Sequence, residues 1–264
     1  MNDAEPVLRL TVFISTLAAV WLWEWRLPWR ALPARPLQRW IGNLGVVAVA
    51  TVLARVSLPL MPVGAAAIAA SRGWGLFNWI EAPAWIEAVA AFLLLDLIIY
   101  AQHRAFHAVP ALWRLHRMHH SDLAVDATTG LRFHPIEIVL SLVVKIGAAF
   151  AFGIGPWTML AFEVVLNATS IFNHANARMP AAWDAALRLL VVTPDMHRVH
   201  HSIDPAETDS NFGFNIPWWD RLFGTYRAEP TAGRAAVTLG LAQFRDASAS
   251  RLDRLLIQPF VAPK

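Results

Sequence analysis

Apolar and polar positions come in long blocks along this chain, not in short alternation. Residues 7–25, VLRLTVFISTLAAVWLWEW, form an apolar run long enough to cross the hydrocarbon core of a bilayer as a helix. The run is too long for a signal-peptide core and no small-residue cleavage site follows it, so it predicts a membrane helix. A proline-studded basic stretch comes next, with Arg26, Arg30, Arg35 and Arg39, and predicts a non-spanning loop. Residues 41–61 predict a second span. Residues 62–82, rich in Gly and Ala around Trp74 and Trp79, predict a segment lying at or re-entering the interface. Residues 83–107 predict a third helix, and 136–155 with 156–172 predict a helical hairpin turning at Gly153-Ile154-Gly155-Pro156. Beyond residue 180 the chain turns more polar and predicts an extramembrane segment.

Composition agrees with the block pattern. Of 264 residues, 56% are hydrophobic and only 16% charged, well under the roughly 25% of soluble domains. The net charge of +3 comes from arginines that are scattered or sit in short loops, with no basic stripe or stacking motif. That pattern predicts contact with anionic membrane lipids and no nucleic-acid partner. The chain has no cysteine, which excludes disulfides, thiolate zinc sites, iron–sulfur clusters and a Cys nucleophile. Any metal must be held by nitrogen or oxygen. No G-x-S-x-G, P-loop or dinucleotide fingerprint supports a serine hydrolase or an NTPase.

Ten histidines all fall between residues 103 and 201. QHRAFH carries His103 and His107. LWRLHRMHHSD carries His116, His119 and His120, and TPDMHRVHHSI repeats the same H-x-x-H-H spacing at His197, His200 and His201. His134 sits in RFHPIE and His174 in FNHAN. Histidines at i, i+3 and i+4 converge on one side of a helix, the spacing by which one turn supplies metal ligands. Counting spans from a basic cytoplasmic loop puts the N-terminus outside and every histidine on the cytoplasmic face. The expected fold is thus an all-α integral membrane protein with about four transmembrane helices and a cytoplasmic cap of histidine-bearing helices. So many neutral nitrogen ligands exceed the needs of one ion, so two ions are implied. Imidazole suits Fe, Zn, Cu and Ni alike. The residues alone therefore leave three readings: an oxygenase, a zinc-dependent membrane hydrolase with Glu137 as its base, or a metal-binding transport or sensor protein. Ligands at a membrane face count against transport, which needs them near the midplane.

The histidine spacing, with LWRLHRMHHS, FHPIE, NHAN, TPDMHRVHHS, DSNFGFN and WWDRLFGTY around it, resembles the fatty acid hydroxylase/sterol desaturase superfamily over residues 90–227. The resemblance implies a membrane enzyme with a histidine-bound di-iron centre that uses O2 and two electrons to hydroxylate or desaturate C–H positions of lipids. It implies His103, His107, His116, His119, His120, His197, His200 and His201 as ligands of two iron ions, with His134 and His174 as further metal-site histidines. Residues 1–82 are then N-terminal membrane helices and basic loop, 83–227 the di-metal hydroxylase/desaturase domain, and 228–264 a C-terminal tail. No cytochrome b5-like segment is visible, so a separate electron-transfer protein is expected beside the lipid substrate. Arginine-rich usage points to a bacterial inner membrane.

Asp96 and Tyr100 share the helical face of His103, and a carboxylate inside a membrane helix suggests function. Asp96 is expected to orient a ligand imidazole. Glu137 begins a helix, where it also meets the helix dipole. Asn173, beside His174, joins Asp96, Tyr100 and Glu137 as a candidate catalytic residue. Glu163, Asn167 and His174 share a face and predict polar groups aimed at the metals or a seam between helices. Lys145 is expected to snorkel or face protein, residues 205–215 to form a solvated loop, with a lid or an electron-partner contact as the alternative, and Trp218 and Trp219 to anchor the interface.

Overall fold

A computed structural model describes residues 4–32 and 36–262; Arg35 lies outside the described residues. The described residues are helical, with no strands beyond two isolated bridges. In chain order the helices are α1 (Ala4–Arg26), α2 (Pro36–Ser57), α3 (Pro62–Arg72), α4 (Ala84–Ala108), α5 (Pro110–His120), α6 (Pro135–Phe152) and α7 (Pro156–Asn173). Short helices follow: α8 (Ala181–Leu187), α9 (Pro194–His200), α10 (Pro205–Thr208), α11 (Trp218–Leu222) and α12 (Leu252–Ile257). Four helical stretches among the described residues are long and apolar enough to cross a membrane: Glu5–Arg26, Pro36–Trp79, Ala84–Ala108 and Pro135–Phe152. The α1 stretch is only 6% buried within the protein, which suits a helix whose apolar surface faces lipid.

α2 and α3 pack on α6, α1 packs on α7, and α4 packs on α5, α6 and α7. The anticipated hairpin is present: Gly153 ends α6 at φ 68, and Pro156 opens α7. A Cβ on Gly75 would lie 2.0 Å from the Gly153 backbone nitrogen, so the two turns meet only because both lack side chains. Of the segment expected at the interface, α3 is packed on protein, whereas Trp74 and Trp79 after it are exposed. Ala65, Ala66 and Ala69 of α3 are fully buried, because small side chains let helix backbones approach closely.

Two further expectations are corrected at the end of the bundle that carries the histidines. The basic loop is shorter than predicted, since α2 begins at Pro36 and includes Arg39. Arg39 is buried and donates to Asp122 at 2.8 Å and to Asp126. Thr129 also donates to Asp122, and Arg132 reaches the Met118 carbonyl and Ser121. This network ties α2 to the loop after α5. Similarly, Glu24 near the end of α1 accepts the backbone N–H groups of Ala127 and Asn176. Residues of the expected tail also return to the core, where Leu255 is buried with Val46 and Met118.

Burial pushes the Asp122 carboxyl up, but Arg39 and Arg132 outweigh it and hold the group below its ordinary value. The charge pairing is therefore stabilising above that ordinary value and is lost as pH falls through the folded-state value. Arg39→Ala leaves the buried Asp126 carboxylate without its ion pair and Asp122 with Arg132 alone, and is expected to cost about 3–5 kcal/mol, read as a lowered Tm in detergent. The wild-type Tm should fall more steeply below about pH 4 than that of the variant.

Candidate metal centre

Two groups of histidines lie side by side where α4, α5, α7 and α9 converge. His103, His107, His116, His120 and His200 form one; His119, His174, His197 and His201 form the other. Within each group the ligand atoms lie within 4.8 Å of one another. Each H-x-x-H-H motif divides in the same way. Its i and i+4 histidines join one group and its i+3 histidine the other, so His116 and His120 part from His119, and His197 and His201 part from His200. The rings of His120 and His201 stack at 4.6 Å across the boundary.

Hydrogen bonds fix the protons on five of these rings. The Nδ1–H groups of His103, His200 and His174 donate to the carbonyls of Phe212 (2.7 Å), Ser210 (2.7 Å) and Ser170 (2.6 Å). Those of His116 and His107 donate to Glu137 (2.6 Å) and Asp209 (3.0 Å). A neutral imidazole with its proton on Nδ1 has a bare lone pair on Nε2. Yet the Nε2 atoms of His103 and His116 are 3.0 Å apart, and those of His103 and His200 are 3.1 Å apart. In the second group, His174 Nε2 lies 3.0 Å from His197 and 3.1 Å from both His119 and His201. Lone pairs facing one another at this distance repel. A cation between them removes the repulsion, and nitrogens at ~2.0–2.1 Å from one ion sit about 3.0–3.4 Å apart. The donor set therefore fits one metal ion in each group.

Burial disfavours the charged ring. It holds His119, His120, His197, His200 and His201 well below the ordinary histidine value, with neighbouring rings adding to the effect. His174 is pushed down to about 4, also by burial first. These rings are neutral at physiological pH, the form in which imidazole binds metal.

The remaining candidates part company with the centre. His134 is not brought to either group. Its Nδ1 accepts the Ile136 N–H and its Nε2–H donates to the Leu256 carbonyl, so both ring nitrogens are occupied in capping α6 and holding α12. Asp96 orients no imidazole; it accepts the indole N–H of Trp219 at 2.8 Å. Trp219 is thus held by protein in place of serving purely as an interfacial anchor. Tyr100 shares a hydrogen bond with Thr225 and stacks on Phe223. Asn173 is fully buried and donates to the Phe214 carbonyl. Of the four candidate catalytic residues, only Glu137 touches a clustered histidine.

Residues 205–215 are the feature that sequence reasoning missed. Most of this segment is buried, not solvated, and it supplies the Ser210 and Phe212 carbonyls and the Asp209 carboxylate to three histidines. Asp220 shapes it by accepting the N–H groups of Phe212 and Gly213, and Asn211 takes the left-handed conformation at φ 52. Backbone carbonyls have no side-chain signature. The cues in the sequence were the Asn and Gly of DSNFGFN, residue types tolerant of such turns.

A cavity of about 570 Å³ opens from the first group into the helical bundle. His103, His116 and Glu137 line one end, Val47, Ile99 and Leu142 the walls, and Arg9, Lys145 and Glu163 a more distant part. Lys145 donates to Glu163 at 2.5 Å and Arg9 donates to it at 2.7 Å. Glu163 and Lys145 thus bond to each other and are not directed at the histidines. Glu137→Ala, which frees the His116 ring, is expected to weaken metal binding about 10- to 100-fold in competition with a chelator. His134→Ala should leave the affinity unchanged.

Residues 88–225, just over half the chain and including all ten histidines, match the fatty acid hydroxylase family. The ornithine lipid hydroxylase OlsE of Rhizobium tropici is 29% identical over 148 residues, which are 56% of this chain and 44% of that protein. Alkylglycerol monooxygenase of Xenopus tropicalis is 31% identical over 166 residues, 59% of this chain and 34% of that protein. The very-long-chain aldehyde decarbonylase GL1-1 of Oryza sativa subsp. indica is 32% identical over 154 residues, 54% and 24% of the two chains. The chain thus spans less than half the length of these relatives. No solved structure matches it. With its paired histidine groups and the matched region that contains them, the chain belongs to the fatty acid hydroxylase family.

Proposed function

We propose that the chain is a membrane oxygenase with two iron ions that uses O2 to hydroxylate a C–H position of a lipid. The overall conversion is R–H + O2 + 2 e⁻ + 2 H⁺ → R–OH + H2O. The observation that carries the reading is the pair of all-nitrogen histidine groups at the end of an apolar cavity. Iron supplies the reductive activation of O2, which no side chain of this chain can perform. His103, His107, His116, His120 and His200 are the proposed ligands of one ion, and His119, His174, His197 and His201 those of the other. Glu137, Asp209 and the Ser170, Ser210 and Phe212 carbonyls orient ligand rings through Nδ1. The cavity walls exclude water from the reacting carbon.

Iron and hydroxylation are favoured because two of the named relatives are a lipid hydroxylase and a monooxygenase. Glu137, the base a zinc hydrolase would use, accepts the Nδ1–H of His116 through Oε1 and so orients a ligand ring in this reading. The two groups lie at one end of the bundle, which counts against a transport role. Electrons come from a separate carrier protein in this reading. The site faces the cytoplasm of a bacterial inner membrane, in keeping with Arg26 and Arg30 at the same end and with the bacterial relative. Residues 83–227 form the oxygenase unit.

The test is metal analysis of protein purified from iron-replete cells, followed by lipidomics under ¹⁸O2. Two irons per chain and an ¹⁸O-bearing lipid are expected, both lost in the His119→Ala/His200→Ala double variant. A single zinc, unchanged in the double variant, would overturn the assignment.

A further inference from the structure

The cavity continues past the histidines to three charged side chains that the proposed reaction does not use. Lys145 and Glu163 are buried, at 7% and 5% exposure, and Arg9 is partly buried. Lys145 lies ten residues into α6, so it sits about 15 Å from the start of that helix. Ionic groups at such depth are costly and commonly line a pathway or a ligand site.

The three charged groups leave N–H donors unspent. Both Glu163 oxygens are engaged, one by Lys145 and one by Arg9. The Lys145 ammonium carries three N–H donors and makes a single hydrogen bond among the described residues. Arg9 uses Nε on Glu5 and Nη2 on Glu163, leaving Nη1. Lys145 and Arg9 therefore keep unspent N–H donors, and the unpartnered Gln102 Oε1 elsewhere on the cavity wall is an acceptor. Ser141 and Asn167 line the same cavity, and their side chains make no hydrogen bond among the described residues. A seam that served only to join α1, α6 and α7 would be closed by its own partners. This one leaves donors on the wall of a cavity that also reaches His103 and His116.

We infer that Lys145, held by Glu163 and Arg9, anchors an acceptor oxygen of the substrate, a carboxylate or ester carbonyl on a hydrocarbon chain whose reacting carbon lies at the histidines. Eight residues of α6 separate Lys145 from Glu137, which contacts His116, so the two ends of the substrate are spaced by about 12 Å. The anchor fixes which carbon reaches the metals, and a plain hydrocarbon lacks the group it holds. Glu163 and Arg9 are positioning residues here, since they hold the Lys145 ammonium in the cavity wall. The inference rests on the oxygenase reading for the reacting end only. Oxygen-dependent binding at Lys145 stands without it.

The test uses the full chain in phosphatidylcholine nanodiscs and the displacement of a fluorescent fatty acid. The competitors are a saturated long-chain fatty acid, its methyl ester and the matching alkane. A hydrogen bond to a charged donor predicts that the acid, the ester or both displace the probe about ten-fold more strongly than the alkane. Lys145→Met should abolish that preference, and Lys145→Arg should retain it. Equal displacement by acid, ester and alkane, failure of the probe to bind, or a preference that survives Lys145→Met overturns the anchor. Should Lys145→Met fail to fold, the wild-type order decides alone. Oxygen-selective binding without any ¹⁸O-bearing product would sink the oxygenase reading and leave the anchor intact.

Discussion

Nine buried imidazoles brought within a few ångströms of one another are the constraint on which this structure depends. Five of them direct the Nδ1 proton outward to a carbonyl or carboxylate, so their Nε2 lone pairs point inward at their neighbours. Such an arrangement stores repulsion unless a cation is present. Metal binding and folding are therefore coupled at this end of the molecule. The outward hydrogen bonds matter as much as the ligands, since they select the tautomer that can bind.

Much of the surrounding architecture serves to hold those bonds. The ligand rings come from α4, α5, the end of α7 and α9, so no single element could position them. Arg39, Asp122, Asp126, Thr129 and Arg132 form a buried charged network beside His119 and His120. It locks α2 to the loop that follows α5. Glu24 does the same for α1 through two backbone amides. Buried ion pairs contribute little net stability over apolar packing, but they penalise any other arrangement strongly. Here that penalty fixes helices that otherwise face lipid and have little apolar core of their own.

The membrane helices connect this rigid end to a cavity deep in the bundle. Its walls are apolar, but Lys145, Glu163 and Arg9 interrupt them well away from the histidines. Distance along α6 is thereby converted into a spacing between a reacting carbon and a polar end. The chain's chemistry and its selectivity thus reside in different parts of one continuous space.

The sequence by itself determined the apolar blocks, the hairpin at Gly153 and Pro156, and the histidine motifs with their family resemblance. These are local signals, carried by the period of a helix, the conformational freedom of glycine and the convergence of i and i+4 side chains. It also marked Glu137, though not what the residue touches. Only the tertiary structure divided each H-x-x-H-H motif between two groups, and it turned Asp96 towards Trp219. Tertiary structure also occupied both nitrogens of His134 and drew residues 205–215 over three ligand rings. Several of those outcomes depend on contacts between residues a hundred or more positions apart, such as His103 with Phe212 and Asp96 with Trp219. Backbone carbonyls are identical at every position of a sequence, so which of them receives a histidine proton is decided only by where the folded chain brings it.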